Sequence, residues 1–472
     1  MSDLAVAELP PSDGEGKPLE PIVAPAAPAA RNPLLEGPIL PTLLRLSAPN
    51  VVALTAGTCV VIAETSYIGR LGVEALAAMA LVFPFIMLTM TMSGGAMGGG
   101  VASAIARALG ANNVHRASTL AAHALIIGFS LGLVFMVGVL IFGPTLLATM
   151  GGRGNVLVQA VAYINVFFLG ATIPWLMNTM AGVLRGTGNM KLPSAMVLCS
   201  AVSQIILGGT LGLGLGPVPQ FGMPGVAAGA LLAMSISAAI MGWYILSGRA
   251  RVNPLVRGFR IQRAMFFDIL RVGAIACFSP LQGVLTISIF THMLAHFGTE
   301  VLAGYGIGAR LEFMLTSIAF AVGMASVPMV GMAIGARDVV RARRIAWTAG
   351  LVSFVSVGSV ATVIAIFPDI WINLFTDDPG VRAASRQYLT TAAPFYAFIG
   401  LSISLYFSSQ GAAKVLPPVL AQTARLVFIA IGGWILMSYG MGVQSFFTLA
   451  AASMLLLGLA GVASVKFTKW GV

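Results

Sequence analysis

Residues 72–77 read G-V-E-A-L-A, and residues 298–303 read G-T-E-V-L-A. The correspondence continues: A-L-G-A-N at 108–112 returns as A-I-G-A-R at 333–337, Val114-His115-Arg116-Ala117 as Val339-Val340-Arg341-Ala342, and Arg185-Gly186 aligns with Gln410-Gly411. The offset is 226 at the first pair and 225 at the rest. A repeat of half the chain length means one folding unit built twice. Two similar lobes can rock about the cleft between them.

With 58% hydrophobic and 9% charged residues and a mean hydropathy of +0.94, the chain cannot cover a soluble globule with polar surface. It reads as an all-α polytopic membrane protein. Stretches of about 20 mostly apolar residues fall near 43–68, 78–104, 118–142, 156–181, 195–215, 224–247, 266–295, 302–332, 346–368, 386–408, 416–438 and 442–465. These are twelve transmembrane helices, six in each lobe. An even number per repeat gives both lobes the same orientation, with their pseudo-twofold axis along the membrane normal.

The expected organisation is a disordered cytoplasmic tail over 1–38, an N-lobe over 39–247, an Arg-rich cytoplasmic linker over 248–263 and a C-lobe over 264–472. The tail is rich in Pro, Ala and acidic side chains, and no removable signal peptide is expected ahead of the first span. Basic residues gather in alternate loops, at Arg107, Arg116, Arg185, Lys191, Arg249–Arg263, Arg337–Arg344, Lys414, Lys466 and Lys469, against only Arg70, Arg153, Arg382 and Arg386 in the others. By the positive-inside rule both termini are cytoplasmic. The net charge of +11 then orients the protein beside an anionic inner leaflet, and no nucleic-acid partner is implied. Heavy use of Arg over Lys, with much Gly and Ala, fits a bacterial chain, hence the inner membrane. Cys59, Cys199 and Cys277 lie inside spans without metal-ligand spacing and read as small packing residues.

Charge in the bilayer core costs about 2.5–3.5 kcal/mol on insertion scales, so Glu64, Arg310 and Glu312 stand out. Glu64 lies about five residues, or roughly 7 Å, inside the outer boundary of the first span. There it can exchange protons with the outside when the cleft opens that way; otherwise it bridges helices or reaches outward. The offset places apolar Phe290 at its counterpart, so the repeated fold does not require an acid there. Arg310 and Glu312 are two positions apart on the eighth span and point to nearly opposite faces, so they are not each other's ion pair. Gln282 or helix-end carbonyls are the expected partners of Arg310, and Thr316 that of Glu312; both charges serve either helix pairing or the cavity. Tyr163, Asn178, Gln204 and Gln282 are further polar groups within spans. Pro84, Pro174, Pro280, Pro328 and Pro394 offer bending points, and Ser93–Gly100 permits close backbone approach. The chain carries no zinc-protease, hydrolase-elbow, Cys/His cluster or Walker motif. It is therefore not expected to be an enzyme, and uphill movement needs an ion gradient or a partner.

A-E-T-S-Y-I-G-R-L-G at 63–72, A-R-A-L-G-A at 106–111, L-R-G-T-G-N-M-K-L-P at 184–193, G-Y-G-I-G-A-R-L-E at 304–312 and V-G-M-A-I-G-A at 330–336 together carry a family likeness. From about residue 40 onward the chain resembles the multidrug and toxic compound extrusion (MATE) transporters. The resemblance implies an antiporter that exports small organic, often cationic compounds in exchange for protons or sodium, with no organic cofactor and acting as a monomer in the bilayer. Glu64 stands where the family commonly has an Asp in a coupling site. Tyr163, Asn178 and Gln204 resemble the Tyr, Asn and Asn around that acid in the branch related to DNA-damage-inducible proteins. Two positions depart from the family: Gly208 stands where that branch has a second Asp, and Gly283 lies near a Glu of the other main bacterial branch. A single N-lobe acid suits a proton better than sodium, which prefers several oxygen ligands. A lipid or lipid-linked-sugar flippase shares the two-lobed architecture, but would line its cavity with several Arg or Lys.

Overall fold

The computed structural model describes residues 33–254 and 260–471. Residues 1–32 of the expected tail and 255–259 of the expected linker lie outside the described residues. Residues 33–36 form a short helix whose Leu34 is buried.

The long helices, in chain order, are α1 (Ile39–Leu71), α2 (Val73–Gly110), α3 (Val114–Thr149), α4 (Gly154–Leu169 with Thr172–Gly186), α5 (Lys191–Leu213) and α6 (Gly222–Leu246). The second set is α7 (Arg263–Phe297), α8 (Thr299–Gly335), α9 (Val339–Ile366), α10 (Pro379–Gly411), α11 (Leu416–Ser438) and α12 (Val443–Phe467). Among the described residues, eleven are long and apolar enough to cross a membrane, and α4 makes a twelfth if its two pieces, bent by 48°, form one span. The bend has a local cause: Pro174 lacks the N–H that would bond to the Gly170 carbonyl, and its ring crowds that carbonyl. Pro280 acts likewise in α7, where the helix is interrupted at Cys277. Pro394 lies in a short 3-10 turn within α10, whereas Pro84 and Pro328 ride inside continuous helices. Residues 91–97 of α2 are π-helical. There the Thr91 and Ser93 hydroxyls donate to carbonyls one turn back, to Met87 and Thr89, both at 2.7 Å.

The repeat is visible in the turns. Gly72 and Gly298, which open α2 and α8, have φ of 122° and 100° with nearly equal ψ of 169° and 170°. Asn112 and Arg337 both take positive φ, 60° and 62°, and the next residue caps the following helix. The Asn113 and Asp338 side chains accept from Arg116 N and Arg341 N at 2.8 and 2.9 Å. Gly188 and Ala413 share a left-handed turn in the same way. Packing repeats too: α1 lies on α5 and α5 on α6 in one lobe, as α7 lies on α11 and α11 on α12 in the other.

Across the lobes, packing concentrates at one end. The last thirteen residues of α2 meet α8, the first half of α7 and α10, while the beginning of α1 meets α8 and α9. Small residues make the approach possible: a Cβ on Gly100 would come within 2.8 Å of the Gly273 backbone N. Ser103 donates to the Gln410 carbonyl at 2.5 Å. Asp268 of α7 accepts from Arg107 at 2.5 Å and from Arg116 at 2.9 Å. The ends of the linker are held against α3, with Asn253 N donating to Ser118 and Gln262 N to His123. Phe142, Leu169, Trp243, Leu351, Ile366 and Trp434 belong to the exposed apolar surface, as lipid contact requires.

Candidate functional site

Glu64 lies in the last two turns of α1 and is 7% exposed. Its Oε1 accepts from Gln204 Nε2 of α5 at 2.7 Å, the contact that the α1–α5 packing sets up. One turn on, the Tyr67 hydroxyl sits against the carboxylate without closing a hydrogen bond of good geometry. Tyr163 of α4, fully buried and stacked on Phe167 with ring centroids 6.0 Å apart, is within electrostatic reach of both Glu64 and Tyr67. Among the described residues, no Arg or Lys pairs with Glu64. It is a buried carboxyl whose close partners are an amide and two phenols.

The expected Asn178 belongs to a neighbouring contact. Its Nδ2 donates to Ser93 Oγ at 2.8 Å, on the π-helical part of α2. A Cβ on Gly94 would touch Asn178 Oδ1 at 3.2 Å, so the glycine run makes room for this pairing. The structure thus joins Gln204 to Glu64 directly, brings Tyr163 near, and places Asn178 on the α2–α4 contact. Gly208 also finds its physical role here. A Cβ on it would come within 2.6 Å of the Tyr67 hydroxyl, so the phenol occupies the space a larger residue 208 would need.

In the C-lobe the expected pairings change. Arg310 is exposed and lies over the Phe375 ring, 5.5 Å from its centroid, with neither Gln282 nor helix-end carbonyls as its partner. Gln282 donates instead to Thr423 Oγ1 at 2.6 Å. Thr316 bonds back to the Phe313 carbonyl, and Glu312 faces Arg425 of α11 at 3.9 Å. Arg425 is a further mid-span charge, beyond the Glu64, Arg310 and Glu312 that the sequence reading singled out. It sits in L-A-Q-T-A-R-L-V-F-I-A at 420–430, where flanking apolar residues keep the window average high and hide a single charge. Tyr67 is the other residue the sequence reading passed over; its signal is its spacing three residues after Glu64, on the same helical face.

The comparisons with known proteins bear on the family and the fold. The MatE family model matches residues 49–210 and 281–435, one segment in each lobe. A protein of Shewanella oneidensis named "FAD transporter" is 25% identical over 430 residues, covering 91% of this chain and 95% of its own. A "Probable multidrug resistance protein NorM" of Deinococcus radiodurans is 29% identical over 444 residues, covering 89% and 93%. Among solved structures, a MOP superfamily transporter from Pyrococcus furiosus superposes with a TM-score of 0.85 at 24% identity, covering 92% of this chain and 98% of that one. An outward-facing multidrug resistance MATE family transporter gives 0.84 with the same identity and coverage. The helices, their repeat and these matches lead to one statement: this chain belongs to the MatE family of multi-pass membrane transporters.

Proposed function

We propose that the protein is a proton-coupled antiporter that exports organic, mainly cationic amphiphilic compounds from a bacterial cytoplasm, by alternating access of the cleft between its lobes. The observation that carries this is Glu64, buried with neutral partners only. A carboxylate in that position must balance its charge with something from outside the fold, either a proton or a cationic substrate. Proton and substrate therefore exclude each other, and by linkage each weakens the other's binding equally. Shape selection is left to an adaptable apolar wall, in which Met79, Met90 and Met92 line the N-lobe core.

With the basic face taken as cytoplasmic, the inter-lobe packing around Arg107, Arg116 and Asp268 closes the inner side, and the cleft opens outward. In that state protons reach Glu64, loosen its bond to Gln204 and release the exported compound. Both termini are then cytoplasmic and no cofactor takes part. The relative named as a FAD transporter extends the range of compounds to be tried beyond cations.

The test is proton movement in sodium-free liposomes holding the purified protein, with an acid interior and ethidium added outside. Proton efflux triggered by the dye, and lost in Glu64→Gln, is the expected result. Exchange that appears only after sodium is added would move the coupling to sodium; no exchange across a panel of cations would move the substrate class to lipids.

A further inference from the structure

Arg425 is the tenth residue of the 23-residue helix α11, near the middle of a span. A guanidinium there carries five donors, yet its contacts among the described residues leave most of them open. Its distance to Glu312 Oε1, 3.9 Å, neutralises charge but is too long for a hydrogen bond. Its Nε approaches Ser453 Oγ at 3.4 Å, a weak contact. The Arg425 side chain is 15% exposed and that of Glu312 20%, so neither charge is sealed off by the surrounding helices.

The repeat supplies the control. The position 225 residues before Arg425 is Ser200, buried and neutral, so the fold itself does not call for a cation. The lobes are chemically unlike: the N-lobe holds an acid without a cation, and the C-lobe holds a cation whose acid stands off. Beside the pair, Tyr305 is within electrostatic reach of both charges. Its ring meets Phe290 and Tyr388 edge-on, each with centroids 5.2 Å apart, so the pair lies beside a buried aromatic cluster that keeps its surroundings apolar.

We propose that Arg425, balanced but not saturated by Glu312, is a binding subsite for an acidic group on the transported compound, a carboxylate or a phosphate monoester carried by an apolar body. The open fork matches the paired oxygens of such a group, and Glu312 competes with it for the same cation. This deepens the export reading by naming a second substrate class, and rests on it only in treating the C-lobe space as part of the transport path.

The experiment is binding of four naphthyl compounds to the purified full-length protein in detergent, followed by their fluorescence. The compounds share one ring system and carry a trimethylammonium, a hydroxyl, a carboxylate or a phosphate. Wild type is expected to prefer the two acidic probes to the neutral one. In Arg425→Gln that preference falls by about tenfold or more, with Arg425→Lys intermediate, and binding of the neutral probe reports that the variant is folded. Glu312→Gln removes the competing carboxylate and raises the affinity for both acidic probes severalfold. Dodecyl phosphate and phosphatidic acid are added as competitors: displacement by the lipid alone, still dependent on Arg425, assigns the acidic group to a lipid headgroup and keeps the subsite. No preference for acidic probes in wild type, or one unchanged in Arg425→Gln, overturns the proposal. The outcome is independent of Glu64, because absence of ethidium-driven proton exchange in wild type with acidic-probe binding intact contradicts the coupling reading alone.

Discussion

At the residue scale, the N-lobe site is a carboxyl with one short hydrogen bond, and under the proposed proton coupling the strength of that bond sets how readily the proton is exchanged. Gln204→Leu removes the 2.7 Å contact and should slow dye-driven proton exchange by about ten- to a hundredfold, the range for a hydrogen bond to a charged group; liposome flux measures it. Gly208→Ala is expected to cost about 1–3 kcal/mol, because its Cβ would press on the Tyr67 hydroxyl. Thermal unfolding in detergent should show the loss, and Tyr67→Phe in the same chain should recover part of it. Glu64 was legible in the sequence because a lone acid in an apolar helix is conspicuous. Gln204 was legible as a polar group within a span, but its place beside Glu64 only through family likeness; Tyr67 was not, since a phenol barely alters the character of a span, and Arg425, as lone a charge as Glu64, was passed over.

At the element scale, the order and extent of the spans were readable because each is a long apolar run. The break in α4 was foreshadowed by Pro174, but the uninterrupted paths of α2 and α8 through Pro84 and Pro328 depend on neighbours that no local pattern reports. The π-helical stretch at 91–97 is of that kind: its glycines announced close packing without saying that Asn178 would be the group admitted. Where helices from the two lobes touch, side-chain volume should be decisive. Gly100→Val places new atoms against the backbone of Gly273 and should lower the midpoint of thermal unfolding. Gly283→Ala, in a helix with no atom within 4 Å of the new Cβ, should leave it unchanged or raise it slightly.

At the scale of the whole molecule, the repeat was written in the sequence, and matched turns at Gly72 and Gly298 and at Asn112 and Arg337 carry it into the backbone. Which end of the lobes closes was not, because it is decided by contacts such as Asp268 with Arg107 and Arg116, 161 and 152 residues apart in the chain. Asp268→Asn removes the shared acid and leaves two cations facing each other, so the packed end should open. Spin labels at Val114 and Val340, both exposed at that end, should show a longer-distance population that grows severalfold in the variant. An unchanged distance distribution would assign the closure to helix packing alone.

The central claim is that proton and substrate compete at Glu64, and proton release on binding tests it without any need for transport. Purified protein in weakly buffered, sodium-free detergent solution is titrated with ethidium while a pH indicator is read. The account predicts proton release that saturates together with dye binding and disappears in Glu64→Gln. Dye binding with no proton release, or release that persists in Glu64→Gln, would contradict it.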